Sequence, residues 1–255
     1  MISRLEAMCL LTIVVLAMPG GLGVAAPAPE ALTASPETRA EPGAHAPTTA
    51  EILERFDRAQ RETVTLVARF TEEKSLRLLA RPVVSHGRFF YTRPNQVRWE
   101  YEAPERRVFV ITESSYVAYF PTEKRAENVE IKKFIGKRLF RFLAVGQSTQ
   151  DLAKYYNIAR LVDGTTRDSY LMVLTPRRER VREHLAVLRI WVDAGTFLPR
   201  RVTYEEPDGD STSLTFEDLR PNVDLPERAF RVDLPSDVLI SSTFNGLGLG
   251  QAGGL

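Results

Sequence analysis

From residue 64 onward the apolar residues recur at every second position, in short runs separated by tight turns. Val64, Leu66, Ala68 and Phe70 alternate with polar or small neighbours. After a loop come SHGRFFYT, QVRWEYE, RRVFVIT, YVAYFPT and RAENVEI. Successive side chains of a strand point to opposite faces, so each run offers one face to a core and one to water. The turns between these runs leave no room for crossover helices, which predicts antiparallel hairpins rather than βαβ units.

The alternation breaks once. IGKRLFRFLAVG places Leu139, Phe140, Leu143 and Val145 on one helical side, with Lys137, Arg138 and Arg141 on the other. TQDLAKYY predicts a second short helix, capped by Thr149 or Ser148. Strands resume in YNIARLV, SYLMVLTP, LAVLRIWVD, FLPRRVTYEE, STSLTFEDL and a final FRVDLP, with a hairpin loop around Asp208, Gly209 and Asp210. This makes about ten or eleven antiparallel strands. So many strands twist, and they curl into a barrel or half-barrel. The fold class is therefore mainly β, with a few helices.

Ahead of the strands, TTAEILERFDRAQRETV carries Thr48 and Glu51 at capping-box spacing and Ile52, Leu53, Phe56 and Ala59 at helical intervals. An amphipathic helix over 49–61 follows. Its stripe needs an apolar surface, and the concave face of the sheet is the candidate.

The N-terminal residues address the compartment. Arg4 precedes an apolar stretch, Met8 to Met18, that is too short to span a bilayer, and small residues follow from Gly20 to Ala26. This pattern predicts a cleavable signal peptide over 1–26, cut near Ala25 or Ala26, and hence export; an uncleaved anchor is the alternative. Cys9 is the sole cysteine, and the preceding LEAM is no lipobox. The mature chain is then free of thiols and disulfides. Residues 27–47 hold five prolines and almost no large apolar side chain, which predicts a disordered linker. The glycine-rich tail over 241–255 is expected to be loose.

Little in the chain suggests chemistry. A net charge of +1 with 26% charged residues argues against nucleic-acid binding. His86 and His184 stand alone, without metal-ligand spacing. The Asp-Gly-Asp turn lacks the closing glutamate of a calcium loop. Glu205 and Glu206 read as solvated carboxylates, and GLGLG at 246–250 has no following helix. PRRERVREH, 176–184, reads as a solvated hairpin or as a docking patch for an anionic surface. No catalytic residue, metal or cofactor is expected. What remains is the apolar excess on the strands, and a concave apolar surface is where ligands bind.

RPNQVRWEYEAPERRVFVITESSYVAYFP, 93–121, resembles the outer-membrane lipoprotein carrier family, LolA, whose members carry a similar RPN…W…P strand-turn-strand segment. The first helix, ARFTEE, FLAVG and LTP fall in the family's order, so the resemblance spans about 48–240. It implies an unclosed antiparallel β half-barrel with an apolar interior and a lid of short helices. It also implies a monomeric periplasmic carrier that takes acylated lipoproteins from an inner-membrane ABC transporter to an outer-membrane acceptor. By the same resemblance Arg93, in the turn with Pro94 and Asn95, latches lid carbonyls. Phe70, Phe89, Tyr91, Val97, Trp99, Phe109 and Ile111 would line the acyl-chain cavity, and Leu139, Phe140 and Leu143 would belong to the lid. Val97 departs from the pattern, standing where many members have an aromatic residue. A module of the same fold that binds or senses another lipid or acyl group is the alternative.

Overall fold

The computed structural model describes residues 47–130, 146, 148–161 and 168–243. The expected signal peptide, the linker up to 46 and the lid residues Leu139, Phe140 and Leu143 lie outside the described residues.

Helix α1 spans Thr49–Glu62. Its capping box is complete: the Glu51 backbone N–H donates to Thr48 Oγ1 at 3.3 Å, and the Thr48 N–H donates to Glu51 Oε2 at 2.7 Å. Ile52, Phe56 and Gln60, four residues apart on one stripe, are the buried positions.

Twelve strands follow: β1 Thr65–Ser75, β2 Val83–Thr92, β3 Gln96–Ala103, β4 Arg107–Ile111, β5 Ser115–Phe120, β6 Arg125–Glu130, β7 Tyr156–Leu161, β8 Ser169–Pro176, β9 Val187–Asp193, β10 Pro199–Glu205, β11 Ser211–Pro221 and β12 Leu239–Ser241. They form one sheet in the order β12-β6-β5-β4-β3-β2-β1-β11-β10-β9-β8-β7. Two meanders are thus joined where β1 pairs with β11, and the sheet stays unclosed because β12 and β7 are its edges. The inward faces of both meanders share one apolar cluster with Phe56 of α1. The sheet therefore curls around a single interior, and α1 covers it.

The strand count exceeds the expected ten or eleven, and β12 is why. It pairs in parallel with β6, Leu239 opposite Arg125, whereas a loose tail was expected from residue 241. Its three residues are too few to show a period. The expected strand FRVDLP does not form. Glu227–Phe230 is a 3-10 turn instead, and Arg98 on β3 donates to the carbonyls of Ala229 at 3.2 Å and Arg231 at 2.8 Å. Pro226 and Pro235 bracket this segment, and a side chain takes the carbonyls that a neighbouring strand would need. Val64, read as part of the first alternation, lies just ahead of β1 and is exposed.

Two short helices sit in connections. α2, Thr149–Ala153, is capped by Ser148. α3, Glu179–Arg182, lies in the link that joins antiparallel β8 and β9, so the expected hairpin forms with a helical turn in its loop. Good helix formers fill that link, and Arg182 folds back onto the carbonyls of Pro176 and Arg177 at 3.3 and 3.1 Å. The Asp208–Asp210 turn joins β10 to β11 as expected, with Gly209 at positive φ. Gly87 on β2 is required by close approach. A Cβ there would lie 2.0 Å from the Glu100 carbonyl oxygen and 2.8 Å from the Phe70 ring.

Candidate functional site

The register sets the interior side chains in rows. Phe89 opposes Trp99, which opposes Phe109; the next row holds Tyr91, Val97 and Ile111. With Phe70 on β1 these are the seven residues read as cavity candidates, and all are buried in the common cluster. Trp99 is the junction: its ring centroid lies 4.6 Å from that of Phe89 and 4.8 Å from that of Phe70. Val97 sits between Tyr91 and Ile111, so the row keeps its width although it lacks a second aromatic ring. The other meander supplies a matching wall, including Met172, Leu174, Ile190 and Phe216, the last 5.5 Å from Phe89. The sequence does not single out this wall on β8, because SYLMVLTP is apolar at every position from Tyr170 to Leu174.

Arg93 closes one end. Through one guanidinium nitrogen it donates to the carbonyl oxygens of Gln60 at 2.7 Å and Thr63 at 3.2 Å, and to that of Arg61. Its backbone N–H donates to the Val64 carbonyl at 2.8 Å. The carbonyls of Gln60, Arg61 and the C-cap residue Thr63 end α1, lack intrahelical partners and carry the negative end of the helix dipole. The Arg93–Pro94 peptide is cis. Asn95 reaches Glu113 Oε1 at 3.4 Å. Burial pushes the Tyr91 hydroxyl pKa up, and adjacent Arg93 works against that shift.

A second set of contacts on α1 was not foreseen. Gln60 Oε1 accepts from the Gly146 N–H at 2.7 Å. Asp57 accepts from the backbone N–H and the hydroxyl of Thr149, each at 2.6 Å. Gly146 has φ +73, and a Cβ on it would lie 2.2 Å from the Tyr91 oxygen. The C-terminal half of α1 thus bridges the Arg93 turn and the segment that begins α2.

The opposite end of the interior is charged. Glu72 and Lys74 continue the inward face of β1 beyond Phe70, with Tyr101 and Arg107 beside them on β3 and β4. The Tyr101 hydroxyl donates to Glu72 Oε1 at 3.1 Å. Lys74 Nζ and an Arg107 guanidinium nitrogen each lie 3.9 Å from Glu72 Oε2, and the Arg107 guanidinium stands 4.2 Å above the Tyr101 ring. Burial raises the Glu72 pKa against the pull of both cations and pulls the Lys74 ammonium down to about 8. At the rim, burial and then the neighbouring Asp208 and Asp210 push Glu206 up to about 6. Glu206 was read as merely solvated.

Among the described residues no group of three or more His, Cys, Asp or Glu could hold a metal ion. His86 instead shares a hydrogen bond with the Thr71 hydroxyl at 3.1 Å. No helix among them is long and apolar enough to cross a membrane.

An unclosed twelve-stranded sheet wrapped about an aromatic interior, with an amphipathic helix laid over it, defines a lidded β half-barrel. Residues 61–233 match the family described as outer membrane lipoprotein carrier protein LolA, and the chain belongs to that family. No curated protein matches it. Solved structures with a similar arrangement include an uncharacterized conserved protein from Thermus thermophilus, at 13% identity and TM-score 0.48, covering 75% of this chain and 97% of that one. The LolA superfamily protein NE2245 from Nitrosomonas europaea aligns at 12% identity and TM-score 0.38, over 72% and 98% of the two chains. MucB in the Pseudomonas aeruginosa MucA/MucB complex aligns at 14% and TM-score 0.43, over 72% and 60%.

Proposed function

We propose that this protein is a non-enzymatic periplasmic carrier that shields the acyl chains of lipoproteins and moves them from the inner to the outer membrane. The observation that supports this reading is the continuous apolar interior from Phe89 and Trp99 to Phe216, covered by a helix that side-chain bonds hold in place. Each acyl methylene left in water costs roughly 0.8 kcal/mol, so a triacylated protein does not cross an aqueous gap unaided. A sheet that is unclosed can widen at its β7 and β12 edges without breaking a ladder. The work then needs an apolar surface and a cover that yields, and no bond chemistry. In this reading Arg93 is the latch on the empty form. An inner-membrane ABC transporter supplies the cargo, an outer-membrane acceptor receives it, and the carrier acts as a monomer.

The test is displacement of an apolar fluorescent probe from the purified mature chain. A triacylated peptide should displace it, and the same peptide without acyl groups should not. Equal behaviour of the two peptides would overturn the reading. Mass spectrometry of the protein taken from the periplasm then identifies the cargo: acylated peptides support carriage of lipoproteins, and free lipid alone supports the other binding module.

A further inference from the structure

The charged end of the interior has no place in a purely apolar carrier. Lys74 has a side chain only 3% exposed, on the same inward face as Phe70, and its ammonium has no hydrogen-bond partner among the described residues. Its nearest opposite charge, Glu72, is 3.9 Å away. Arg107 is 7% exposed in its side chain, likewise 3.9 Å from Glu72, and its Nε is also without a hydrogen-bond partner among the described residues. Two cations therefore share one carboxylate, and that carboxylate already accepts from Tyr101. A buried cation is tolerated when paired and hydrogen-bonded, and here donors outnumber acceptors. Glu206, on the rim beyond β10, is the further carboxylate whose field reaches Lys74.

We propose that Lys74 and Arg107 form a head-group subsite that binds a carboxylate or phosphate carried by an amphiphile whose chain lies along the aromatic interior. The inference rests on the reading that this interior takes acyl chains, and it adds the chemical class of the cargo. Geometry supplies the continuity. Phe70 packs edge-on against both Trp99 and Tyr101, at 4.8 and 5.0 Å between centroids, so the apolar rows run directly into the charged end. An incoming anionic oxygen supplies the missing acceptor. The Lys74 ammonium donates to it and Arg107 Nε provides a second donor, so the two cations no longer depend on Glu72 for an acceptor. A neutral head group offers acceptors without the charge. A free anion lacks the chain that opens the apolar shell.

The experiment compares dodecanoate, dodecyl phosphate and dodecanol as competitors of an apolar fluorescent probe on the wild-type chain near neutral pH. Acetate and inorganic phosphate serve as chainless controls. The chains are identical, so any difference reports the head group. One charge-assisted hydrogen bond predicts that both anionic amphiphiles compete about tenfold more tightly than dodecanol. Lys74→Met keeps the length of the side chain and removes its charge, and it should narrow that ratio to about twofold. Equal competition by dodecanoate and dodecanol in the wild type overturns the head-group subsite and leaves the acyl cavity standing. Failure of all three chains to compete overturns the cavity itself and this inference with it. Displacement of bound dodecanoate by inorganic phosphate alone overturns the assignment to an amphiphile. The wild-type ratio decides the matter even if Lys74→Met does not fold.

Discussion

Arg93 on the β2–β3 turn holds Gln60 on α1 by its backbone, the guanidinium donating to the Gln60 carbonyl at 2.7 Å, while the Gln60 side chain accepts from the Gly146 N–H at 2.7 Å. One helical turn thus receives contacts from both sides of the interior. Freeing the last turn of α1 would uncover Phe56 and the aromatic rows beneath it.

Arg93→Leu removes the three bonds to the helix carbonyls. The site is half exposed to solvent, so the expected loss of stability is about 2 kcal/mol rather than the sum of three full charge-assisted bonds. Acceptance of an acylated peptide should persist, because the rows around Trp99 are untouched. Release should slow, since a shell that closes poorly when empty gains less by emptying. Loading both proteins with one lipoprotein and measuring what each retains after acceptor membranes are added checks this. Equal release would remove the latch from the mechanism.

Gly87→Ala tests the packing of the inner face. A Cβ at this position meets the Glu100 carbonyl oxygen at 2.0 Å, backbone that cannot step aside without disturbing the β2–β3 ladder. The expected cost is about 2–4 kcal/mol, at the severe end of overpacking. Urea denaturation of both proteins reports it, and a loss below about 0.5 kcal/mol would mean that the ladder shifts freely.

The alternation of β1 shows both how much the sequence disclosed and where reading it stopped. Leu66, Ala68 and Phe70 mark the inward face, and the same period carried two steps further reaches Glu72 and Lys74. Charge at those positions reads as a return to solvent, because burial of a charged residue depends on partners from other strands. Tyr101 and Arg107 are those partners, and pairing across three strands has no local signal. Register within the β2–β3–β4 meander was legible because tight turns fix it, and so the six cavity candidates on those strands fall on one face. The pairing of β1 with β11, about 150 residues apart in sequence, and the parallel seat of β12 depend on closure of the whole sheet. They leave no local pattern.

Lys74 should give the stability a distinctive pH dependence. Burial lowers its pKa from 10.5 to about 8, against the opposing pull of Glu72 and with a further push from Arg107. Between those values the unfolded chain holds the proton that the folded chain has released. The unfolded state therefore binds more protons, and stability rises with pH through this window. The gain approaches roughly 2–3 kcal/mol. Tyr101, whose pKa is raised by burial, works the other way above its ordinary value of 10, so urea melts should run from neutral pH to about pH 9.5. Glu206, with a folded value of about 6, has finished titrating before the window opens. Lys74→Met should flatten the rise. A wild-type profile that is already flat would place the ammonium in water.

Gly146→Ala isolates the contact that the sequence did not announce. Two costs add at this position. The backbone has φ +73, which disfavours a side chain by roughly 1–2 kcal/mol. The new Cβ would also stand 2.2 Å from the Tyr91 oxygen, with the ring carbon behind it at 2.9 Å. Tyr91 forms a row with Val97 and Ile111 and cannot swing away without opening the interior. The substitution should therefore loosen the hold of Gln60 on Gly146 and raise hydrogen exchange in the last turn of α1 by about tenfold or more. Tyr91→Phe in the same chain removes the oxygen and relieves the closer clash, while the ring carbon and the φ cost remain. The double variant should recover about half of the lost protection, with a coupling of at least about 0.7 kcal/mol between the two sites. Additive effects of the two substitutions would show that Gly146 does not rest on Tyr91 when the shell is closed.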